Sequence, residues 1–159
     1  MEDLEDLEGD DLDADTEKTL EKGDLFEVKG IIYEVTNASE KSPTAECIGS
    51  ASDKSRTIVI PAKATYEDTD YKVTGIAKNA FRNNKKLTAI TIGSNVTYIG
   101  AYAFCGDSKL KVVKIKSQKI KSIQKKAFFG MQKKVTVKVP ANVKSKYKKM
   151  LKSAGLGKR

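Results

Sequence analysis

The chain has 159 residues, with no histidine, two cysteines and a formal net charge of +9. This length predicts one domain with a tail, since domains usually have about 100 to 200 residues. The lack of histidine, the commonest general base and metal ligand, argues against an enzyme and against a metal centre. No apolar run approaches the roughly 18 residues of a membrane span, and the N-terminus lacks the basic-then-apolar plan of a signal peptide. If the natural protein is secreted, we expect this chain to be a fragment or a processed form.

Charge is distributed very unevenly along the chain. Residues 1–21 contain eleven acidic side chains and one basic side chain, a net charge of −10, which leaves +19 on residues 22–159. After Asp107 there is no carboxylate side chain. A segment with few apolar residues and strong self-repulsion cannot bury a core, so residues 1–22 are predicted to be an acidic disordered arm or linker. The alternative is that this arm folds back weakly on the lysine-rich body, through contacts that salt would screen.

The arm has aspartates at the spacing of a calcium-binding loop, at Asp11, Asp13 and Asp15. The sixth position of such a loop needs glycine for a sharp turn, and the twelfth needs a bidentate glutamate. Thr16 and Lys22 occupy these two positions. The sequence therefore predicts no calcium site in the arm, and no other metal or cofactor is expected in the chain.

Residues 23–72 are predicted to form an N-terminal β-hairpin cap and a first strand. The stretch LFEVKGIIYEVT from Leu25 alternates apolar and polar residues and is interrupted at Lys29 and Gly30, which is typical of a hairpin turn. AECIG and RTIVIPA predict two further strands, separated by a turn. Residues 62–72 are interpreted as a surface excursion, in which Tyr66 and Tyr71 either fold over the edge of the cap or bind a ligand.

Residues 73–139 contain a repeat. VTGIAKNAF from Val73, VTYIGAYAF from Val96 and IKSIQKKAF from Ile120 follow one another at steps of 23 and 24 residues. Each is followed by an alternating segment, in turn KLTAITI, KLKVVKI and KKVTVKV. We predict a unit of one short strand and a turn-rich return. Because such a short unit cannot bury its own apolar face, the copies are predicted to stack around a shared core that includes Phe81, Phe104 and Phe128.

Residues 140–159 are predicted to form a capping helix on the last coil. The segment begins at Pro140, Asn142 is the candidate N-cap, and Gly155 stands where a helix C-terminus favours a left-handed residue. The final strand otherwise lacks a cover, so the helix is expected to pack on it. Apolar residues recur at helical spacing at Val143, Tyr147, Met150, Leu151 and Ala154.

The pattern L-x-x-I-x-I-x-x-x-V-x-x-I-G-x-x-A-F, present here as LTAITIGSNVTYIGAYAF from Leu87, resembles the BspA-like leucine-rich repeat family of bacterial and some protozoan surface proteins. The resemblance covers roughly residues 57–139 as repeats. It implies an α+β repeat solenoid, a short right-handed leucine-rich-repeat β-solenoid with the hairpin cap and the capping helix at its two ends. It also implies an extracellular or cell-surface location and adhesion to proteins of a host or a neighbouring cell.

Catalytic and redox chemistry find little support in the remaining residues. Cys47 and Cys105 fall in different predicted units, so two free thiols are expected instead of a disulfide. The chain has no GxSxG, Walker A or glycine-rich dinucleotide motif. Glu67, Asp68 and Asp70 share one predicted loop, for which a solvated surface is the expected role. We predict no catalytic residues.

The candidate binding surface is the outward face of the stacked strands. Because adjacent strands lie about 4.8 Å apart, their outward side chains form a continuous face. Small residues beside a column of lysines suit a partner with an acidic surface, although the lysines could instead serve only solubility. The predicted members are Ala89, Thr91, Val112, Lys114, Lys116, Thr136 and Lys138.

Three roles remain open for this face. The resemblance implies protein adhesion, the charge favours a polyanion such as teichoic acid or a sulphated glycan, and the third role is a structural spacer without a ligand. Nucleic acid is disfavoured because Arg56, Arg82 and Arg159 are the only arginines and no aromatic platform lies among the lysines. We expect a monomer, whose binding to a protein would survive moderate salt and whose binding to a polyanion would fall steeply with salt.

Overall fold

The computed structural model describes residues 19–158. Within that range it contains eleven β-strands, a short 3-10 turn at Ala141–Val143 and one α-helix, α1, at Lys144–Ser153. The strands are β1 (Leu25–Val28), β2 (Ile31–Asn37), β3 (Thr44–Ser50), β4 (Thr57–Ile60), β5 (Lys63–Tyr66), β6 (Thr69–Ile76), β7 (Ala89–Ile92), β8 (Tyr98–Ile99), β9 (Val112–Ile115), β10 (Ser122–Ile123) and β11 (Thr136–Lys138).

The strands form two sheets on either side of one hydrophobic core. Sheet A has the order β1-β2-β3-β6-β8-β10, with β5 paired to β6, and sheet B has the order β4-β7-β9-β11. Sheet B is parallel throughout, as is the β3-β6-β8-β10 part of sheet A. The hairpins β1-β2 and β5-β6 and the pair β2-β3 are antiparallel. The chain thus has a leucine-rich-repeat-like fold of parallel strands with one C-terminal helix, and its predicted right-handed sense stays a prediction.

Each repeat contains two strands, so the predicted unit of one strand and a turn-rich return is wrong. One coil passes from β7 in sheet B to β8 in sheet A, and the next passes from β9 to β10. The second strand has only two residues, Tyr98 and Ile99 in the first of these coils. Backbone hydrogen bonds hold it to the preceding coil, with the Gly100 amide donating to the Ile76 carbonyl at 2.8 Å. A strand this short leaves no period-2 pattern for sequence reasoning to detect.

The repeated phenylalanines form a stacked column in the core, as predicted. The rings of Phe81 and Phe104 lie 5.5 Å apart between centroids, and those of Phe104 and Phe128 lie 5.1 Å apart. All three side chains are buried. Burying one such side chain contributes roughly 1.5–3 kcal/mol to stability, so this column is a main source of cohesion between coils.

Gly93 directly follows β7, where strand alternation predicts an outward residue, but it is buried. A Cβ atom at this position would lie 2.5 Å from the Ile60 carbonyl oxygen. Glycine is therefore required there because the backbone of the neighbouring coil, at Ile60 and Pro61, approaches too closely for a side chain.

The predicted N-terminal hairpin is present, with its turn at Lys29 and Gly30. Both residues have positive φ, 52° and 81°, as a two-residue turn matched to the strand twist requires. The predicted excursion at residues 62–72 is wrong, because that segment forms β5 and the start of β6. Tyr66 and Tyr71 pack on Phe26, with centroid distances of 5.3 and 4.9 Å, in agreement with the packing alternative.

The C-terminal helix is present, but its predicted N-cap is wrong. Val143 occupies the cap position without a side-chain hydrogen bond. Because the 3-10 turn precedes the helix, Asn142 lies inside that turn, and its Nδ2 donates to Gln118 Oε1 at 2.9 Å. Tyr147 is buried, and its hydroxyl accepts from the Ile120 amide at 3.0 Å and donates to the Ser117 carbonyl at 2.8 Å. These bonds fix the helix to the preceding coil.

Gly155 and Leu20 lie near the two ends of the described part of the chain. Gly155 has a φ of 97°, so the predicted left-handed residue after the helix is confirmed. Leu20, within the segment assigned to the acidic arm, is 7% exposed and belongs to the core. Residues 1–18, with the calcium-like spacing, lie outside the described residues. None of the helices in the described range has the length and apolar content needed to span a bilayer.

Candidate functional site

The outer side of sheet B carries two rows of outward side chains, which together we name the sheet B face. Strand alternation buries the residues between them, such as Ile90 and Val113, in the core. Strand register places Thr57, Ala89, Val112 and Thr136 in one row and Val59, Thr91, Lys114 and Lys138 in the other. The face is thus built from four parallel strands at a spacing of about 4.8 Å.

The structure brings six of the predicted site residues together on this face, namely Ala89, Thr91, Val112, Lys114, Thr136 and Lys138. Lys116 is the exception, because β9 ends at Ile115 and Lys116 lies just beyond it. With Asn95 and Lys119, it lines a polar cleft of about 220 Å³ beside the ends of the strands. Lys116 is therefore a neighbour of the face and not a member of its rows, and the binding role of all seven residues stays a prediction.

Sequence reasoning missed two members of the face, Thr57 and Val59. The alternation in RTIVIPA predicts their strand but not the strand with which it pairs. Thr57 pairs with Ala89, 32 residues later, whereas the clear repeats step by 23 and 24 residues. The residues that lengthen this step belong to the β5-β6 hairpin. Because of them, the first coil does not show the repeat period of the later coils. Val59 is 54% exposed, so one end of the face presents an apolar side chain.

The other end of the face is basic, and no described carboxylate forms a salt bridge with its lysines. Register places Lys114 of β9 directly beside Lys138 of β11. Like charges on neighbouring strands repel one another and destabilise the pair. In the part of the chain that the structure describes, the one salt bridge is Lys63–Asp70, which lies in the β5-β6 hairpin. An anionic group supplied by a ligand would relieve the repulsion between Lys114 and Lys138.

The whole C-terminal part of the chain shares this charge. Residues 22–107 contain eleven basic and ten acidic side chains, a net charge of +1, whereas residues 108–159 contain eighteen basic side chains and no acidic one. Because each coil stacks on the preceding one, this difference in sequence becomes a charge gradient along the stack. The end of the sheet B face that carries Lys114 and Lys138 therefore lies at the positive end of the stack.

The outer side of sheet A differs, because Tyr98 and Glu46 bind one another there, although register also places Glu34 of β2 beside Glu46 of β3. Tyr98 lies across Gly75 of the neighbouring strand, where a Cβ atom would overlap the tyrosine ring. The Tyr98 hydroxyl donates a hydrogen bond to the Glu46 carboxylate. Burial and the bond to Glu46 raise the pKa of Tyr98, so the phenol remains protonated and can donate.

The buried carboxyl group of Asp107 is only partly satisfied, because its Oδ2 has no hydrogen-bond partner among the described residues. Asp107 is fully buried, and its Oδ1 accepts from the Asn84 amide at 2.8 Å. Burial raises the pKa of Asp107 to about 8, although the bond to Asn84 opposes that rise. Asn84, Asp107 and Met131 are all buried at the same position of successive repeats, which indicates a packing role.

The described residues contain two free thiols and no cluster of metal-binding side chains. Cys47 and Cys105 are free thiols, as predicted. Burial raises the pKa of Cys47 to about 12, so this thiol is a poor nucleophile. Within residues 19–158, no three histidine, cysteine, aspartate or glutamate side chains are close enough to hold a metal ion.

Residues 62–157 match the family model of a BspA type leucine rich repeat region with six copies. The chain belongs to the BspA-type leucine-rich repeat family. The match includes the β5-β6 hairpin, all the strands of the clear repeats and the C-terminal helix. This BspA-type chain is therefore a repeat module, of a family whose common property is the repeat scaffold and not a catalytic site.

Solved structures show the same fold in longer bacterial proteins. A leucine rich cell surface protein from Faecalibacterium prausnitzii matches with a TM-score of 0.58 at 24% identity, over 75% of this chain and 33% of that one. A leucine-rich repeat protein from Bacteroides ovatus matches with a TM-score of 0.53 at 28% identity, over 74% of this chain and 38% of that one. The pneumococcal vaccine antigen PcpA matches with a TM-score of 0.53 at 19% identity, over 77% and 39% of the two chains.

The BspA-type chain thus spans between a third and two fifths of the length of these three solved proteins. No curated protein matches its sequence.

Proposed function

We propose that this chain is a non-catalytic binding module of a cell-surface or secreted protein, and that its sheet B face adheres to another protein. The observation that carries the proposal is the adjacent pair Lys114 and Lys138, which has no described carboxylate beside it on a regular, otherwise small-residue surface. The family match and the cell-surface protein from Faecalibacterium prausnitzii support the surface location.

The shape of the face suits a protein partner better than a small molecule. Its outward residues are short or β-branched except for the two lysines, so a partner could approach the strands closely. Val59 offers an exposed apolar contact at one end, and Lys114 and Lys138 offer two cations at the other. A partner with an apolar side chain and acidic groups at a matching separation would contact both ends.

The test is capture of the protein by immobilised extracellular-matrix proteins, heparin and teichoic acid, at low and at near-physiological salt. The test variant carries K114S, K116S and K138S. Its matched control carries K41S, K54S and K78S, which removes three exposed lysines outside sheet B. Salt-resistant capture by one matrix protein, lost only in the test variant, is the expected result. Equal capture of both variants would contradict the proposal.

The second candidate function is binding to a polyanion of the cell wall or of a sulphated glycan. Its support is the C-terminal part of the chain, with eighteen basic side chains in residues 108–159 and no acidic one. Such binding releases counterions, so its affinity should fall steeply with salt. It should weaken more in K114S/K116S/K138S, which removes three charges from that basic part, than in the control, and its loss at near-physiological salt distinguishes it from protein adhesion.

A further inference from the structure

A second surface lies at the end of the stack, between β11 and α1. It is a groove of about 320 Å³, lined on the strand side by Val135, Val137 and Val139 and on the helix side by Leu151. The three valines are only half-buried, whereas Val113, the register partner of Val137 in the preceding coil, is completely buried. The helix therefore covers the last strand incompletely and leaves an apolar surface open.

The groove is bordered by positive charge. Exposed Lys144 and Lys148 of α1 contribute to its lining. No carboxylate side chain follows Asp107 in the sequence, so no side chain of the strand or the helix that forms the groove can neutralise them. An occupant that fits both properties combines apolar side chains with several carboxylates.

The N-terminal segment of the chain has this composition. Residues 2–15 contain nine acidic side chains, no basic one, and leucines at positions 4, 7 and 12. We propose that this segment of the same chain occupies the groove, with Leu4 and Leu7 against the valines and the neighbouring carboxylates beside Lys144 and Lys148. The contact would cover the open apolar surface and reduce the charge at the basic end of the stack.

The segment is long enough for this contact. Leu20 is buried, and the nearby Gly23 amide donates to the Val35 carbonyl of β2 at 2.8 Å, so the segment leaves the folded body near β2. From β2 to β10 there are four strand spacings, about 19 Å. The helix α1 forms a further layer, so the distance from β2 to the groove is about 30 Å. The thirteen residues from Leu7 to Leu20 can extend over about 45 Å, which exceeds that distance.

A larger cavity at the opposite end of the stack is a weaker match for the segment. It measures about 390 Å³ and its lining includes Val28, Val59, Lys29 and Lys63. Lys63 already pairs with Asp70 at 2.7 Å, and residues 22–107 are nearly neutral. Charge therefore favours the groove beside α1.

The test uses paramagnetic relaxation in the full-length protein. A nitroxide is attached to the D3C variant in a C105S background, since burial protects the Cys47 thiol from labelling. We expect loss of the amide signals of Val137, Lys148 and Leu151, and recovery of these signals in the L4S/L7S variant, whose charge is unchanged. K144E/K148E should restore the signals too, whereas the matched control K78E/K86E, on exposed lysines between β6 and β7, should not.

Three results would overturn the proposal. Signal loss that persists in L4S/L7S would mean that charge alone holds the segment and that its leucines are not seated in the groove. Signal loss confined to Val28 and Val59 would place the segment in the opposite cavity. Signal loss in a mixture of spin-labelled unenriched chain and unlabelled ¹⁵N chain would show binding to a second copy.

Discussion

The outer surfaces of sheet A and sheet B differ in how their polar side chains are paired. On sheet A, register places Glu34 beside Glu46, and Tyr98 covers Gly75 and donates to Glu46, so one of these two carboxylates is bound within the chain. On sheet B, the outward residues are small, and the charged pair Lys114 and Lys138 repels instead of attracting. Both surfaces cover the same core, so the difference is not required by folding. This contrast supports the proposed ligand-binding role of the sheet B face.

The core beneath both surfaces gives the largest expected effect. Phe104 stacks between Phe81 and Phe128, so F104A should destabilise both sheets together, by about 3–5 kcal/mol in denaturant unfolding. F129A, at a half-buried position of the following turn, is the control and should cost clearly less. Equal losses in the two variants would contradict a stacked column as the main contact between coils.

Gly75 tests the internal completion of sheet A. A Cβ atom there overlaps the Tyr98 ring, so G75A should displace the tyrosine from Glu46 and cost about 1–3 kcal/mol. Chemical denaturation measures the loss. The double variant G75A/Y98A should be no less stable than Y98A alone, because the overlap is gone. Additive losses would show that Tyr98 does not lie across Gly75 in solution.

Asp107 tests the boundary between the neutral and the basic parts of the stack. Its pKa is raised by burial to about 8, above the ordinary value of 3.8, so the folded protein holds a proton that the unfolded chain releases. The resulting contribution to stability is complete below about pH 4 and decreases as pH rises through about 8. D107N removes this dependence and keeps the acceptor for the Asn84 amide, so it should gain about 1–2 kcal/mol at pH 8. Parallel pH profiles of unfolding free energy for the two proteins would contradict the shifted pKa.

The lysine pair on sheet B gives the smallest expected effect. K114S/K138S should leave the unfolding free energy within about 0.5 kcal/mol, with a slight gain at low salt that disappears as salt screens the repulsion. E46Q on sheet A, which weakens the bond from Tyr98, should lower stability at both salt concentrations. A marked loss of stability in K114S/K138S would assign the lysines a structural role and weaken the case for a ligand.

Repetition made most of the fold predictable. The motifs around Phe81, Phe104 and Phe128 contain local signals at a constant step, and each stacks on a copy of itself. Where the step changed, prediction failed. Thr57 and Val59 join the face through a register of 32 residues, and β8 is held by backbone hydrogen bonds that place no demand on side-chain type. Asn142 has the composition of an N-cap, but a preceding 3-10 turn moved the cap to Val143.

The face itself was predictable for the same reason, because alternation determines which side chains point outward. The positions at which the face begins and ends could not be predicted in this way. Lys116 continues the alternation by sequence, yet β9 ends one residue before it, as the chain turns towards sheet A. The apolar end at Val59 required the pairing of β4 with β7, which no local pattern contains.

The most direct test of the ligand-binding role of sheet B is site-specific photo-crosslinking. A photoreactive residue is placed at Thr91 on sheet B or at Ser122 on the outer side of sheet A, and each protein is irradiated with the ligand that it captures in the binding panel. We predict that Thr91 forms the adduct and Ser122 does not. An adduct from Ser122 alone, or equal adducts from both positions, would contradict the assignment of ligand binding to the sheet B face.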